Sequence, residues 1–187
     1  MTPEPRRPSG PPGPPEAAIP DVRIVHLDGP TFRALADGDL ATANRVGPVP
    51  LPPYFAGPDW RGVWRMRTEQ VEADPAGAAW VTGVIWDQRR AVAVGRAGYH
   101  GPPDASGMVE IGYAVEPVHR RRGYARAALE LLLRRAADEP EVGTVRVTIG
   151  PDNSPSRRLA EQYGFVEVGT RWDDEDGLEI VYEVPAG

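Results

Sequence analysis

The chain has 187 residues, of which 41% are hydrophobic and 26% are charged, and its net charge is −6. One globular domain fits this length, and no apolar run approaches the roughly 20 residues that a membrane-spanning helix requires. The negative net charge argues against nucleic acid as the main partner. The chain has no cysteine, which excludes disulfides and thiolate metal sites. A cytoplasmic location is the default expectation.

Residues 1–20 contain eight prolines and few bulky apolar side chains. Such a segment cannot bury enough surface to offset the entropy lost on ordering, so we expect a disordered, proline-rich tail. A docking peptide for a partner is the alternative. Residues 21–187 form the predicted folded domain, and the terminus lacks the apolar stretch of a secretory signal.

The first part of the domain is predicted to contain one strand and two helices. Residues 22–27 alternate like a strand. Residues 29–47 are predicted as a single helix, with a proline near its start and a glycine after its end. Five prolines exclude a helix over residues 48–58, and the second helix is expected over residues 59–75.

The second part alternates strands and helices. Three strands are predicted over residues 78–87, 90–101 and 107–117, followed by a helix over 123–138, a strand over 144–149, a helix over 154–163 and a hairpin joined at 173–177. In the helix over 154–163, Ser154 is the expected N-cap and Pro155 the first helical residue. This order predicts a single α/β domain of the mixed α+β kind.

Residues 120–125 read RRRGYA and lie between the end of a strand and the start of a helix. The N–H groups at a helix start lack partners, and the helix dipole adds positive potential there. Gly123 allows a ligand to approach the backbone closely, and three arginines attract phosphate. The segment therefore predicts a binding site for a diphosphate-sized anion, with a solvated arginine cluster as the alternative.

Two segments together resemble a known family. RRRGYA fits the pattern R/Q-x-x-G-x-G/A, and NSPSRRLAEQYGF at residues 153–165 fits N-x-x-S-x-x-L-x-x-x-x-G-F. They are similar to motifs A and B of the GCN5-related N-acetyltransferases, the GNAT superfamily, especially its branch of ribosomal-protein N-terminal acetyltransferases. Over residues 22–185 the resemblance implies a mixed, mostly antiparallel seven-stranded sheet, about four flanking helices, and a splay between strands four and five.

The resemblance also implies acetyl-CoA as cosubstrate, without a metal. Its diphosphate is expected on the backbone amides of residues 120–125, and its pantetheine arm beside residues 113–115. For Asn153 the alternative role is helix capping. The implied CoA-binding residues are Tyr113, Ala114, Val115, Arg120, Arg121, Arg122, Gly123, Tyr124, Ala125, Asn153 and Ser156.

Acetyl transfer to an amine requires a base that removes the ammonium proton. Glu110 is the first choice, because Gly112 and Ala114 on the same strand face leave space beside its carboxylate. A surface glutamate is the alternative. Two other candidates remain open. His100 has a suitable intrinsic pKa, with a plain loop histidine as the alternative, and the acidic run at residues 173–177 has a solvated turn as its alternative.

The reaction also requires a polarised carbonyl and stabilisation of the leaving thiolate. Many family members carry tyrosine directly after the leucine of motif B, where this chain has Ala160. Some members of the ribosomal branch place a serine near the sulfur, so the resemblance implies Ser156 in this role, or a water held by Ser156 and Asn153; a backbone-bonding serine is the alternative. Tyr163 is expected to face elsewhere, and the implied carbonyl polariser is the backbone N–H of Val115.

The acceptor side of this family is formed by the first helices and the loop between them. In this chain that region supplies Tyr54, Phe55, Trp60 and Trp64, and His100 is a further candidate substrate contact. An aromatic wall near carboxylates favours an amine with an apolar or ring-containing body. Core packing is the alternative role of these aromatic residues.

The resemblance and the residues together predict an acetyl-CoA-dependent N-acetyltransferase. The acetyl group is expected to move directly, in a ternary complex, to the primary amine of a small molecule or peptide. Three alternatives stay open: a non-catalytic acyl-CoA-binding regulatory module, a protein N-terminal acetyltransferase, and an interaction domain that works through residues 1–20. A homodimer is common among such proteins.

Overall fold

The structure, a computed structural model, describes residues 19–174 and 177–187. Most of the predicted tail, and Glu175 and Asp176 of the predicted hairpin turn, lie outside these described residues. The strands are Val22–Val25 (β1), Gly83–Asp87 (β2), Val92–Tyr99 (β3), Met108–Val115 (β4), Thr144–Ile149 (β5), Val166–Asp173 (β6) and Gly177–Pro185 (β7). The α-helices are Gly29–Ala36 (α1), Leu40–Val46 (α2), Arg61–Ala73 (α3), Tyr124–Asp138 (α4) and Ser154–Gln162 (α5).

The single helix predicted over residues 29–47 is wrong, because the chain forms α1 and α2 there. Gly38 separates them in the left-handed region at φ 75°. Asp39 then starts the second helix by accepting a hydrogen bond from Thr42 N–H at 2.9 Å. An aspartate–glycine–aspartate sequence therefore ends one helix and caps the next.

Several smaller boundaries also differ from the predictions, among them the starts of α5 and β2. The N-cap of α5 is Asn153, so Ser154 is the first helical residue and Pro155 the second. Residues 78–80 belong to a 3₁₀ turn, and β2 begins only at Gly83. Shifts of this size are usual at element ends, where side-chain caps compete for the same backbone groups.

The strands form one sheet in the order β1-β2-β3-β4-β5-β7-β6. Neighbouring strands are antiparallel except β4 and β5, which are parallel. That pair is in register only from Met108 to Glu110, opposite Thr144 to Arg146, although β4 continues to Val115. The predicted seven-stranded mixed sheet with a splay between strands four and five is confirmed.

Two hydrophobic clusters hold the helices on the sheet. In one, Leu129 and Leu132 of α4 pack on the sheet with Val145 of β5. In the other, Phe32 of α1 and Trp64 of α3 pack with residues of β1, β2 and β3. Each such fully buried side chain contributes about 1.5–3 kcal/mol, so the sheet is fixed between two helical layers. Within the described ranges, no helix is long and apolar enough to cross a membrane.

Candidate active site

A cleft of about 810 Å³ opens where β4 and β5 diverge. One wall comes from α3 and β3, the floor from β4 and β5, and the opposite wall from the start of α5 and from the β6–β7 hairpin. The cleft thus joins the predicted cofactor side of the fold to its predicted acceptor side.

The backbone of β4 offers hydrogen-bonding groups to this gap. The Glu110 carbonyl accepts a bond from His100 N–H at 2.9 Å, so the even-numbered residues of β4 bond to β3. Alternate residues of an antiparallel strand direct their amide groups to opposite edges. The amide groups of Ile111, Tyr113 and Val115 therefore face β5 in the region where β5 has moved away. An extended pantetheine arm has the shape to pair with them.

The arginine turn leads directly into α4. Arg121 and Gly123 both adopt left-handed backbone, with φ of 63° and 83°, and Gly123 is the N-cap of α4 without any side-chain cap. The first amides of α4 are therefore available to an anion. Arg121 and Arg122 are exposed, whereas Arg120 donates from Nε to the Val115 carbonyl at 3.0 Å. The geometry fits a diphosphate held chiefly by the backbone.

Glu110 lies beneath the cleft wall rather than on its surface. Its side chain is 11% exposed, and Thr148 donates to its Oε1 at 2.7 Å. Arg171 binds both of its oxygens, at 3.1 and 3.0 Å. Thr148, Arg171 and His100 all line the cleft and contact Glu110, which does not line the cleft itself. The carboxylate can thus act on the cleft through these neighbours.

His100 is a titratable residue that lines the cleft beside Glu110. Its Nδ1 is 3.5 Å from Glu110 Oε1. A Cβ on Gly112 would lie 2.6 Å from its Nε2, so the glycine is what allows the ring to lie across β4. Gln70 and Arg67 donate to the His100 carbonyl at 2.7 and 3.3 Å. Contacts to its backbone carbonyl and to its ring therefore both fix the position of His100.

The charge state of His100 follows from its surroundings. Partial burial lowers the pKa of His100 to about 4; Glu110 opposes this effect, and three nearby arginines reinforce it. The side chain nevertheless keeps 40% of its surface exposed. At neutral pH the cleft therefore presents a neutral, accessible imidazole that has a carboxylate beside it.

The predicted thiol-side residues also meet at the cleft. Asn153 and Ser156 line it, and Asn153 Oδ1 accepts a bond from Ser156 N–H at 3.3 Å, which is the helix-capping role. The buried Tyr113 hydroxyl approaches Ser156 but forms no hydrogen bond of standard geometry with any described residue. Burial raises the pKa of Tyr113. Tyr163 instead donates its hydroxyl to Glu130 of α4, away from the cleft.

The predicted aromatic wall is mostly interior. Phe55 and Trp64 are fully buried, and Trp64 Nε1 donates to the Phe55 carbonyl at 2.7 Å. Trp60 supports the guanidinium of Arg96, whose Cζ is 4.2 Å from the ring centroid, and Tyr54 packs against Trp60. Arg96 lines the cleft, whereas these four aromatic residues do not. Trp60 and Tyr54 therefore pack behind Arg96, and Arg96 is the residue of this region that lines the cleft.

Sequence reasoning missed two arginines of the site. Arg67 is 4% exposed, and the only signal for it was a charged residue on the apolar face of α3. No local sequence pattern indicates a role for Arg171, because the residues that it contacts lie on other strands. Asp173 and Asp174 of the acidic run also line the cleft, together with the 74% exposed Trp172. Two residues of the acidic run therefore lie at the cleft, and a role for them in the reaction stays a prediction.

The splayed sheet, the uncapped helix start and the cleft between them define a domain of the CoA-dependent acyltransferase class. The chain belongs to the GNAT acetyltransferase family, since residues 28–166 match the family described as "Acetyltransferase (GNAT) domain". The resemblance drawn from motifs A and B is confirmed. Members of this family use acetyl-CoA as cosubstrate.

Two curated relatives match shorter stretches. The uncharacterized N-acetyltransferase YjdG of Bacillus subtilis (strain 168) is 37% identical over 73 residues, 39% of this chain and 44% of that protein. The L-2,4-diaminobutyric acid acetyltransferase of Streptomyces anulatus is 38% identical over 66 residues, 35% of this chain and 38% of that protein. In both cases the matched segment is less than half of the relative.

Solved structures support the fold over nearly the whole chain. Mycobacterium smegmatis RimJ in complex with CoA-disulfide superposes with a TM-score of 0.58, at 21% identity over 89% of this chain and 88% of RimJ. At that identity the likeness concerns the fold alone. It extends the similarity beyond the segments matched in the two curated relatives.

Proposed function

We propose that the protein is an acetyl-CoA-dependent N-acetyltransferase that transfers the acetyl group directly to a primary amine in a ternary complex. The observation that carries this proposal is the meeting, at one cleft, of the unpaired amide edge of β4 with the His100–Glu110 pair. Acetyl-CoA supplies the acetyl group as a thioester.

The residues present fit CoA at two places. The backbone of Tyr113 to Val115 faces the gap left by β5, and the amides of residues 120–125 stand at the start of α4. The Val115 N–H points into the gap and is the proposed donor to the thioester carbonyl. Asn153 holds the start of α5 beside this path.

The geometry favours separate roles for His100 and Glu110 in removing the proton of the acceptor ammonium. His100 lines the cleft and is unprotonated at neutral pH, so a ring nitrogen can take up the proton of the acceptor ammonium; its lowered pKa makes it a weak base, and Glu110 acts to raise that pKa. Glu110, 3.5 Å from Nδ1, offsets the positive charge that the ring then carries. In this arrangement Glu110, the first choice from the sequence, is a positioning residue. Glu110 acting through a water remains the alternative route.

For the leaving thiolate, two hydroxyls are placed to give a proton. Ser156 lines the cleft near Asn153, as expected for the residue that substitutes for the tyrosine missing at Ala160. The Tyr113 hydroxyl approaches Ser156 and has no standard hydrogen bond of its own. The two hydroxyls can form a short relay toward the sulfur.

The acceptor is an amine of a small molecule or peptide. The Streptomyces anulatus relative is named for L-2,4-diaminobutyric acid, which carries primary amines, and this supports an amine acceptor here. The acidic side chains at the cleft mouth, Asp173 and Asp174, favour the approach of a cation. A cytoplasmic location and a homodimer are part of the same proposal.

Release of free CoA thiol in the presence of acetyl-CoA and a panel of amines tests this function. We expect His100→Gln to lower kcat by about 10²-fold, the usual contribution of a general base, and to leave CoA affinity unchanged. His26→Gln is the matched control, since His26 lies outside the cleft. Protein that binds acetyl-CoA but acetylates no amine would instead support the non-catalytic regulatory module.

A further inference from the structure

The first turn of α4 has no side-chain cap, although it is the proposed binding site of the CoA diphosphate. Gly123 is its N-cap, in the left-handed region at φ 83°. Uncapped amides are available to an anionic ligand. A helix start without a capping side chain is also less stable and frays more easily, so another contact has to hold this turn in place.

Tyr124, the first residue of α4, is anchored to the sheet. Its hydroxyl donates a hydrogen bond to Oδ2 of Asp87 at 2.6 Å, and the two residues are only 4% and 5% exposed. Asp87 is the last residue of β2. Hydrogen bonds between a hydroxyl and a carboxylate are shorter and about twice as strong as those between neutral groups. The bond therefore ties the start of α4 to the end of β2.

Asp87 is itself fixed by the turn between β2 and β3. Its Oδ1 accepts hydrogen bonds from the backbone N–H groups of Arg89 and Arg90, both at 2.9 Å, and Arg90 Nε lies 4.0 Å from its Oδ2. Burial opposes ionisation of Asp87, but the hydrogen bonds from Tyr124 and from the two turn amides outweigh it and lower the pKa of Asp87. The carboxylate is therefore ionised and firmly placed at neutral pH.

The same turn also supports Gly123. The backbone N–H of Gln88 donates to the Asp21 carbonyl at 3.0 Å, and its side-chain amide donates to Asp21 Oδ1 at 2.8 Å. The neighbouring Pro20 lies against Gly123, since a Cβ on Gly123 would be 3.1 Å from Pro20 Cδ. The β2–β3 turn thus holds the residue before α4 as well as its first residue.

We infer that Asp87 is a positioning residue for CoA, which acts through Tyr124 to hold the first turn of α4 with its backbone amides free for the diphosphate. A capping side chain would occupy one of those amides, whereas a bond to the Tyr124 hydroxyl leaves them all to the ligand. The inference rests on the proposed placement of the diphosphate at residues 120–125. Asp87 does not line the cleft, so its effect should be confined to the cofactor.

Three ligands test the inference in calorimetric titrations of the full chain: CoA, dephospho-CoA, which keeps the diphosphate, and pantetheine, which lacks it. Tyr124→Phe removes only the hydroxyl. We expect the Kd values of CoA and dephospho-CoA to rise about tenfold, the effect of losing one hydrogen bond to a charged group, and that of pantetheine to stay the same. An unchanged Kd for CoA, or an equal rise for pantetheine, overturns the inference. A rise for CoA alone would place the effect at the 3′-phosphate and would also overturn it.

Tyr99→Phe is the matched control. Tyr99 is also buried, and its hydroxyl also bonds to α4, at the Leu132 carbonyl at 2.6 Å, far from the first turn. Each substitution removes one buried hydroxyl that bonds to the same helix, so each should lower the melting temperature by about 2–4 °C. Only Tyr124→Phe should weaken CoA binding. An equal loss of CoA affinity in both variants would mean that general loosening of α4 is responsible, which contradicts a positioning role.

Asp87→Asn tests the carboxylate itself. It should weaken CoA binding in the same way as Tyr124→Phe, and the double variant should bind CoA no more weakly than the more affected single variant, because both changes act on the same bond. Additive losses would contradict the inference. If Asp87→Asn fails to fold, the comparison of Tyr124→Phe with Tyr99→Phe decides alone.

Failure of the proposed function would give a different result. The titrations need no acceptor, so absence of acetyl transfer to every amine would remove the N-acetyltransferase function and leave the positioning role supported by the CoA data. Wild-type protein that binds CoA no more tightly than pantetheine would overturn the inference together with the placement of the diphosphate. With an active acceptor, Tyr124→Phe should raise the KM for acetyl-CoA about tenfold and leave kcat unchanged. A lower kcat with an unchanged KM contradicts the inference.

Discussion

Arg171 on β6 binds both carboxylate oxygens of Glu110 on β4, although two strands lie between them. The same guanidinium donates to Thr148 on β5 at 3.0 Å and to Glu179 on β7 at 2.8 Å. One polar network therefore spans four strands under the cleft. It ties the β6–β7 hairpin to the strand that carries the proposed cofactor edge.

Glu110→Gln is expected to weaken this network and to disturb His100. The amide keeps the shape but loses the charge that pairs with Arg171 and stabilises a protonated His100. We expect kcat to fall by about 10²-fold and the melting temperature to fall as well, as measured by steady-state kinetics and calorimetry. Glu183→Gln is the control, because it removes the ion pair with Arg146 outside the cleft. A Glu110→Gln enzyme with unchanged kcat would contradict the positioning role.

The stability of the protein should depend on pH through His100. Burial lowers the folded-state pKa of His100 to about 4, while the unfolded chain titrates near 6.5. Below pH 6.5 the unfolded chain binds a proton that the folded state does not, so the contribution of His100 is complete above pH 6.5 and is lost as the pH falls toward 4.

His100→Gln should therefore flatten the fall in melting temperature between pH 6.5 and 4. The measurement is a pair of pH series for the wild type and the variant, both without CoA. Constant ionic strength is the control, because it keeps the screening of the surrounding arginines the same. Parallel curves for the two proteins would show that His100 does not titrate as described.

Gly123→Asp should abolish most CoA binding. Gly123 adopts φ 83°, where a side chain adds strain, and an aspartate there places negative charge at the predicted diphosphate site. We expect the Kd for CoA, measured by titration calorimetry, to rise by about 100-fold or more, the cost of strain and repulsion together. Gly123→Ala is the control, since it adds bulk without charge.

Arg121→Ala should cost far less than Gly123→Asp. Arg121 is exposed, and exposed ion pairs are worth about 0.2–1 kcal/mol, which is at most about a fivefold change in Kd. The loss should shrink further at high salt. Equal effects of the two substitutions would mean that arginine side chains, rather than backbone amides, hold the diphosphate.

Tyr113→Phe should lower activity without lowering stability. The Tyr113 hydroxyl is buried and has no standard hydrogen bond within the described ranges, so its removal leaves no partner unsatisfied. We expect about a tenfold lower kcat, the low end of general acid catalysis, with an unchanged or higher melting temperature. Tyr163→Phe is the control: its hydroxyl bonds Glu130, so stability should fall by about 1 kcal/mol with kcat unchanged. A Tyr113→Phe enzyme of full activity would leave Ser156 as the proton donor.

Much of the fold was predictable because its signals are local. Alternation along β4 and the glycine before α4 depend on neighbours in the chain, and both were identified from short segments. The split of residues 29–47 was missed because aspartate can continue a helix or cap one. In this chain Gly38 adopts the left-handed region after α1, and Asp39 then caps α2.

The sequence by itself determined the family and the mixed sheet, since the motifs and the order of the elements can be read along the chain. Only the tertiary structure decided which charges meet. Arg171 is 61 residues from Glu110, and Arg67 is 33 from His100. Their contacts depend on strand order and helix packing, which set distances that no local pattern encodes. The same packing buries Phe55 and Trp64 and brings Arg67 and Arg171 to the lining of the cleft.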